Sequence, residues 1–595
     1  MRAPVALHSM ALWALLPVLS VGGPDPEAAV LEAARQGDLS SLQALVDEGV
    51  DVNVAHGDGM TPLHYASERR DVEMARFLVT AGADVGARTR IGEYRPLHLA
   101  GRGGSGEIVG LLLEAGADPN AATTNTGVLP IHLAAGAGAP DALTFLVEHG
   151  ADPDAREGSW GQTPLVFAAS ANRPEAIEAL LALGADPSMT TQVVDVPRRA
   201  ASDQRAEEHL NELLEEFRKE EKGDPDTWEP TPAQVREAIL ASREVQRETD
   251  REEVSDYEEE EEEDRVARYP DLVSAWGGLT PLLHASRQGH HAAVAALLDG
   301  GADIDQPSSG DGTTPLLMAT LNGHFDLAAE LLRRGANPNL ASEAGATPLY
   351  VAIEREWAPR AAYAHPLNHY RQEVGYLELM ERLLEAGADP NVRIDIHPWY
   401  KVYNFNLLGV DSQGATPFWR AAYGLDIRAM QLLLEYGADP TVATRTPPAR
   451  GGPPGGDEEL DPSGLPPAQY GQPSVTPLHA ATGAGYGLGR AGNQHRYVPG
   501  GWMPVVRFLV EEIGLDVNAR DHQGYTPLHN AAARGDTEMI RYLVDHGADV
   551  TVVSRRGQTT ADMANGPVQR ISPFPAAIRL LEDLGSDNND NCVGC

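Results

Sequence analysis

Five histidines recur at one position of a short repeated motif, and imidazole is a common metal ligand and general acid or base. They are His64, His98, His132, His479 and His529. Each follows a Pro-Leu or Pro-Ile pair at the start of an apolar stretch. Because they recur with the repeat and do not converge on one site, we expect a structural role. We predict no catalytic residue, no cofactor and no metal ligand in the chain.

Two further patterns could carry chemistry, and neither has the context that it needs. His365, His369 and Glu373 are spaced by four and could ligate a metal from one helix face, although Pro366 and the aromatic surroundings favour a loop equally. Residues 487–492 spell Gly-x-Gly-x-x-Gly, but this segment follows a predicted helix instead of a strand. We therefore predict no dinucleotide site.

The only two cysteines, Cys592 and Cys595, form a C-x-x-C pair. Covalent haem attachment would require a histidine directly after the second cysteine, and no histidine follows Cys595. In an oxidising compartment the pair is expected to close a small disulfide. A mixed disulfide with a partner and free thiols remain the alternatives.

Composition excludes several function classes. The chain has 595 residues and a net charge of -41, so broad contact with nucleic acid or anionic lipid is disfavoured by repulsion. With two cysteines, neither a disulfide-stapled fold nor a cysteine metal site is expected.

The first residues resemble a secretory signal peptide. Arg2 precedes an apolar stretch from Ala11 to Val21, and Gly22 and Gly23 follow it. Eleven residues are too few to span a bilayer as a helix. We therefore expect an extracytoplasmic protein, periplasmic or secreted, whose residues 1–23 are removed. The alternative is an apolar helix that caps the fold.

A tetrapeptide of the type Thr-Pro-Leu-His occurs eleven times. Successive copies begin 33 or 34 residues apart, except for four intervals of 117, 69, 60 and 50. Thr is a good N-cap and Pro suits the first helical position, so each copy predicts the start of a helix. About twenty residues after most copies, Gly-Ala-Asp ends a second apolar segment. One such helix pair cannot bury its apolar face alone, so neighbouring pairs must stack.

This repeat resembles the ankyrin-repeat family, whose unit of about 33 residues carries the same motif. The resemblance implies an all-α ankyrin-repeat solenoid of about twelve helix-turn-helix units with long inserts, which contacts proteins. More specifically, the chain resembles large secreted bacterial ankyrin proteins with long inserts. Only three of the 46 basic residues are lysine, which agrees with a GC-rich bacterial source.

The oversized intervals divide the chain into segments. The first insert holds 25 acidic and 8 basic residues between positions 203 and 264, and Leu210, Leu213, Leu214 and Phe217 predict an amphipathic helix there. The later inserts hold many aromatic residues. The predicted segments are a signal peptide 1–23, N-terminal repeats 24–187, an acidic and partly helical insert 188–276, central repeats 277–356, repeats with aromatic and Gly/Pro-rich inserts 357–503, C-terminal repeats 504–588 and a C-x-x-C tail 589–595.

Candidate partner contacts come from alignment to the family's variable positions and from the aromatic inserts, which either recognise the partner or pin the inserts to the repeats. They are Glu68, Arg69, Arg102, Trp160, Trp276, Arg287, Gln288, Glu354, Trp399, Tyr400, Tyr403, Phe405, Tyr423 and Arg534.

The predicted function is a non-enzymatic scaffold that binds a protein partner through its concave face, fingers and aromatic inserts. We expect a monomer without a membrane span and without nucleic acid as a partner. The region 357–503 is the favoured place for the ligand. The alternative function is an accessory redox, metal-associated or haem-associated extracytoplasmic protein that uses Cys592 and Cys595.

Overall fold

The computed structural model describes residues 25–220, 228–251, 274–358, 367–396, 410, 412–447, 461–485, 496–566 and 572–589. Contacts divide the chain into two units, Met1–Gly158 and Ser159–Cys595. Each unit is built of antiparallel helix pairs, and the described residues contain twelve such pairs in total. The all-α repeat architecture predicted from the sequence is confirmed.

The first unit contains four helix pairs. Their first helices pack side by side, as do α4 with α6 and α6 with α8 among the second helices. The bounds are α1 (Pro26–Gln36), α2 (Leu39–Asp47), α3 (Pro62–Arg69), α4 (Val72–Thr80), α5 (Pro96–Gly103), α6 (Gly106–Glu114), α7 (Pro130–Ala137) and α8 (Pro140–Glu148).

The second unit contains eight helix pairs and one inserted hairpin. Helices α11 and α12 form the hairpin, and a 3-10 helix (Asn368–Arg371) and a π-helical turn (Phe508–Glu512) interrupt the regular pattern. The bounds are α9 (Pro164–Ser170), α10 (Pro174–Ala182), α11 (Val196–Glu220), α12 (Pro232–Arg251), α13 (Pro281–Gln288), α14 (His291–Asp299), α15 (Pro315–Leu321), α16 (Phe325–Arg333), α17 (Pro348–Trp357), α18 (Tyr376–Glu385), α19 (Pro417–Tyr423), α20 (Ile427–Glu435), α21 (Pro477–Thr482), α22 (Trp502–Arg507), α23 (Pro527–Ala533), α24 (Thr537–Asp545), α25 (Thr560–Asn565) and α26 (Pro575–Asp583).

The Thr-Pro pairs start helices as the sequence predicts. The hydroxyl of Thr280 accepts a hydrogen bond from the backbone N–H of Leu283 at 3.2 Å, and Pro281 occupies the first helical position. Gly289 ends the same helix in the left-handed conformation, at a φ of 73°. Both helix limits therefore follow from local backbone chemistry.

The core of each unit lies between the two helices of each pair and between successive pairs. Most first helices bury the aliphatic or aromatic residue that follows the proline of the motif almost completely. In the second unit these residues are Leu165, Leu282, Leu316, Leu349, Phe418, Leu478 and Leu528. Each of them packs against the next pair, so no helix pair is a separate folding unit.

The acidic insert leaves the stack continuous. Strands β1 (Val193–Asp195) and β2 (Ala275–Gly277) form an antiparallel ribbon, in which Val193 pairs with Gly277. The ribbon leads into α11, which carries the predicted apolar residues Leu210 and Phe217, and α11 packs along α12. Helices α9 and α13 pack directly against each other, although more than 100 residues separate their starts in the sequence.

Candidate functional site

The motif histidines brace neighbouring loops, which confirms their predicted structural role. Nδ1 of His479 accepts a hydrogen bond from the backbone N–H of Thr476 at 3.3 Å, and Nε2 lies 3.0 Å from the carbonyl oxygen of Tyr525 in the next repeat. His529 has equivalent bonds to Thr526 and Gln558. Burial lowers the pKa of His479 and of His529 to about 4, so both rings are neutral at pH 7.

A second set of inter-repeat bonds was not predicted from the sequence. The side-chain oxygen of Asn391 accepts from the backbone N–H of Asp439 at 2.7 Å, and its amide donates to the carbonyl of Gly437 at 3.0 Å. Asn53, Asn339 and Asn518 make the same pair of bonds to the following repeat. In each of these four repeats the asparagine lies four residues after the glycine that follows the second helix, and this spacing was the signal that the sequence offered.

Three of the predicted contact residues meet in one cleft of the second unit, which we call the tryptophan cleft. It has a volume of about 410 Å³. The residues that line it are Trp160, Gln162, Thr191, Gln192, Trp276, Gly277, Leu279, His284, Arg287, Asp311, Thr313, Met318, Leu321, Asn322 and Arg355. The fingers before α9 and α15, the ribbon of the insert and the helices α13, α15 and α17 supply these residues.

Two indole rings form one wall of the tryptophan cleft. The ring centroids of Trp160 and Trp276 lie 5.6 Å apart at an angle of 47° between the planes. The two residues are 47% and 41% exposed, so both offer aromatic surface to solvent. Trp276 is held by pairing with Val194 in the ribbon, and the backbone N–H of Gln192 donates to the carbonyl of Trp160 at 2.9 Å.

Helix α13 supplies a cation and a buried imidazole to the tryptophan cleft. Arg287 is exposed at its last turn, and burial of its stem lowers the pKa of the guanidinium. His284, one turn earlier, is only 5% exposed, and burial lowers its pKa to about 3, with the charge of Arg287 adding to the shift. The cleft can therefore offer a cation and a neutral imidazole beside an aromatic wall.

Of the other predicted contacts, those of the first unit and Gln288 lie on the surface, whereas the side chain of Arg534 is only 11% exposed. In the first unit, Arg102 donates to Glu68 at 2.8 Å, and Arg69 donates to the carbonyl of Arg35 at 3.1 Å. In the second unit, Gln288 is exposed beside Arg287. The guanidinium carbon of Arg534 lies 3.2 Å from the ring centroid of Trp502, which is a close cation–π contact.

Glu354 and Tyr423 were predicted as partner contacts and are instead buried. Glu354 is 2% exposed because Arg420, from the next repeat, donates to its carboxylate. Tyr423 is 3% exposed, stacks on Trp419 at 5.3 Å between ring centroids, and donates to the carbonyl of Ala484 at 3.3 Å. Both positions belong to the core, so a partner does not reach them.

Several predicted features lie outside the described residues. They are the signal peptide 1–23, the aromatic residues Trp399, Tyr400, Tyr403 and Phe405, the glycine motif at 487–492, His365, and the tail cysteines Cys592 and Cys595.

His369 is described and lies in a four-residue 3-10 helix that ends before Glu373, so the two do not share an α-helical face. The described ranges hold no group of three His, Cys, Asp or Glu residues arranged to bind a metal ion. Within the same ranges, no helix combines the length and apolarity needed to cross a membrane.

Comparison with known families agrees with this architecture. Models for ankyrin repeats match residues 30–123, 97–191, 265–342, 282–394 and 494–544. The chain belongs to the ankyrin-repeat family. Ankyrin repeats generally mediate contact between proteins and are typically not enzymes.

The curated relatives share single stretches of repeats with this chain. It is 43% identical over 65 residues to protein phosphatase 1 regulatory subunit 12A of Mus musculus. The aligned stretch covers 11% of this chain and 6% of the mouse protein. Alpha-latrocrustotoxin-Lt1a of Latrodectus tredecimguttatus is 26% identical over 154 residues, which are 26% of this chain and 8% of the toxin. Ankyrin repeat domain-containing protein 49 of Bos taurus is 44% identical over 52 residues, 9% of this chain and 22% of that protein. The chain therefore matches less than a quarter of the length of each of these three relatives.

Proposed function

We propose that this protein is a non-enzymatic interaction scaffold that holds a protein partner in the tryptophan cleft. The concave face and the fingers of the adjoining repeats complete the binding surface, and the aromatic inserts at 357–503 extend it. The observation that carries the proposal is the convergence of Trp160, Trp276 and Arg287 on one cleft, although the acidic insert separates Trp160 from the other two in the sequence.

The side chains of this cleft are of the kind that dominates binding energy. Tryptophan and arginine are enriched among interface residues whose truncation costs 2 kcal/mol or more, on the order of a 30-fold loss of affinity. Trp160 and Trp276 are rigid and already in contact, so little conformational entropy is lost when a partner covers them.

The cellular setting is part of the proposal. Arg2 and the apolar residues 11–21 support export from the cytoplasm, and the charge of -41 argues against nucleic acid as a partner. We propose that the exported protein acts as a monomer. Its N-terminus, determined by sequencing from the extracytoplasmic fraction, should lie near residue 24. Intact protein that is confined to the cytoplasm would contradict this part.

The binding site is tested by affinity capture with three forms of the full chain. Wild type should retain a partner that the Trp160→Ala/Trp276→Ala double variant loses. Phe145→Ala serves as the matched control, because Phe145 is 36% exposed on α8, lies outside 357–503 and does not line the cleft. The affinity of the captured partner is then measured by titration with each form.

The expected loss for the double variant is at least about 30-fold, with the control within about 3-fold of wild type. Circular dichroism of all forms checks that the repeats remain folded. Equal retention of every captured protein by the double variant would remove the tryptophan cleft as the binding site.

A further inference from the structure

His284 is a buried side chain without a hydrogen-bond partner. It is 5% exposed, and neither ring nitrogen has a partner among the residues that the structure describes. An unsatisfied buried polar group costs about 1–3 kcal/mol, and native proteins contain few of them. Because His284 lines the tryptophan cleft, a group that enters the cleft could supply the missing partner.

The position of His284 within its repeat distinguishes it from the motif histidines. In the Thr280 motif the usual histidine position holds Leu283, and His284 occupies the next position. His479 and His529 use both nitrogens to brace their loops, as described above. The loop-bracing role therefore does not account for His284.

Arg287 adds a positive charge one turn further along α13. It makes no ion pair within the described parts of the chain, although acidic residues outnumber basic ones by 87 to 46. Asp311 is the carboxylate that lines the same cleft, and its oxygens accept from the hydroxyl of Thr313 at 2.8 Å and from Ser308. The local charge of α13 is thus free to receive an anionic group, in contrast to the strongly acidic molecule around it.

The tryptophan cleft also has an apolar surface, which lies beside polar lining residues such as Gln192, Asn322 and Arg355. The rings of Trp160 and Trp276 form the wall, and Leu279, Met318 and Leu321 add aliphatic surface. A volume of about 410 Å³ accommodates two or three side chains of an extended segment. A carboxylate with an adjacent aromatic or large aliphatic group therefore matches both Arg287 and the apolar wall.

We propose that the tryptophan cleft binds a peptide segment of a partner protein in which an Asp or Glu lies within two residues of an aromatic or large aliphatic side chain. The carboxylate accepts hydrogen bonds from the guanidinium of Arg287 and from a ring N–H of His284. The apolar side chain packs against Trp160 and Trp276. This inference rests on the proposed function and specifies the chemistry of the partner.

The test is a selection from a display library of random peptides about ten residues long, which extend to about 33 Å. The full chain serves as bait at moderate salt, because its charge of -41 attracts basic peptides at any surface. Peptides that pair an acidic residue with an aromatic or aliphatic neighbour should be enriched. Enrichment of basic or acid-free sequences, or of none, would overturn the proposal.

Two variants connect the enriched peptides to the cleft. Arg287→Glu should lose them, whereas Arg333→Glu should retain them, because Arg333 is an exposed residue of α16 that does not line the cleft. Retention of the same peptides by Arg287→Glu would contradict the inference. If the Trp160/Trp276 variant still loses its captured partner in that case, only the ligand chemistry has failed and the binding site stands.

His284→Leu separates a binding role from a structural one. Leu removes the unsatisfied nitrogens, so the melting temperature should be unchanged or higher, while the affinity for an enriched peptide should fall about 10-fold. A melting temperature several degrees lower with unchanged peptide affinity would assign His284 to the core and refute its part in binding.

Discussion

At the residue scale, the most consequential polar contact is the buried pair of Glu354 and Arg420. Arg420 is completely buried and Glu354 is 2% exposed. The guanidinium also donates to the carbonyl of Trp357 at 2.8 Å and lies 5.8 Å from the ring centroid of Tyr423. Because the pair joins α17 to α19, the insert between those helices does not separate their repeats.

Removing one partner of this pair should destabilise the protein strongly. Glu354→Gln leaves a buried guanidinium without its counter-ion, and we expect a loss of roughly 3 kcal/mol in the free energy of unfolding. The measurement is the urea midpoint followed by circular dichroism. Glu378→Gln is the matched control, since its 2.6 Å ion pair with Arg382 is solvent-exposed and should contribute less than about 1 kcal/mol. Equal effects of the two substitutions would argue against a special role for the buried pair.

The motif histidines predict how stability depends on pH. The pKa of His479 and of His529 is about 4 in the folded chain, against an ordinary value of 6.5. Between these two pKa values the unfolded chain therefore binds more protons than the folded chain. The contribution of the two histidines to the free energy of unfolding is fully present above pH 6.5 and is lost as the pH drops toward 4. Each histidine should contribute up to about 1.4 kcal/mol per pH unit within that window.

Thermal unfolding between pH 7.5 and 5 measures this dependence. His529→Gln keeps an acceptor for the helix start and should give a shallower fall than wild type. Burial raises the pKa of Asp521 to about 6, which has the opposite effect on stability over the same range, so the difference between the two forms isolates the histidine. Identical slopes for wild type and variant would contradict the assignment.

At the element scale, asparagine bonds join four pairs of neighbouring repeats within the described residues, in addition to apolar packing. Asn391→Ala should remove the bonds to Asp439 and Gly437 and cost about 1 kcal/mol, measured as a shift of the urea midpoint. Asn391→Asp retains the acceptor and loses the amide donor, so its effect should be smaller. A larger loss for the aspartate variant would show that repulsion between its carboxylate and the carbonyl of Gly437 outweighs the retained acceptor.

The sequence predicted the elements better than their contacts. Helix starts at Thr280 and stops at Gly289 depend on neighbouring residues, so the motif alone sufficed. The burial of Glu354 depends on Arg420, which is 66 residues away, and no local pattern indicates that pairing. The cleft was predicted in part, because Trp160, Trp276 and Arg287 were named individually without any indication that the ribbon brings them together.

At the scale of the whole molecule, the net charge of -41 is unevenly distributed along the chain. Residues 197–273 hold 26 acidic and 12 basic side chains, a net of -14. This segment leaves and re-enters the repeats through the ribbon, where Val193 pairs with Gly277, while α9 and α13 pack directly. The two ends of this segment already lie side by side at the ribbon, so the segment can be removed without separating α9 from α13.

Replacing residues 197–273 by a short glycine linker should leave the repeats folded and reduce the effect of salt on stability. Self-repulsion destabilises a strongly charged chain, and salt screens it beyond about 10 Å at 0.1 M. The melting temperature of the full chain should therefore rise by a few degrees between roughly 0.02 and 0.3 M NaCl, and the rise should be smaller in the shortened chain. Differential scanning calorimetry measures both slopes. A melting temperature that falls with salt would mean that ion pairs such as Arg334 with Asp299 outweigh repulsion, and loss of cooperative unfolding in the shortened chain would make the insert part of the repeat core.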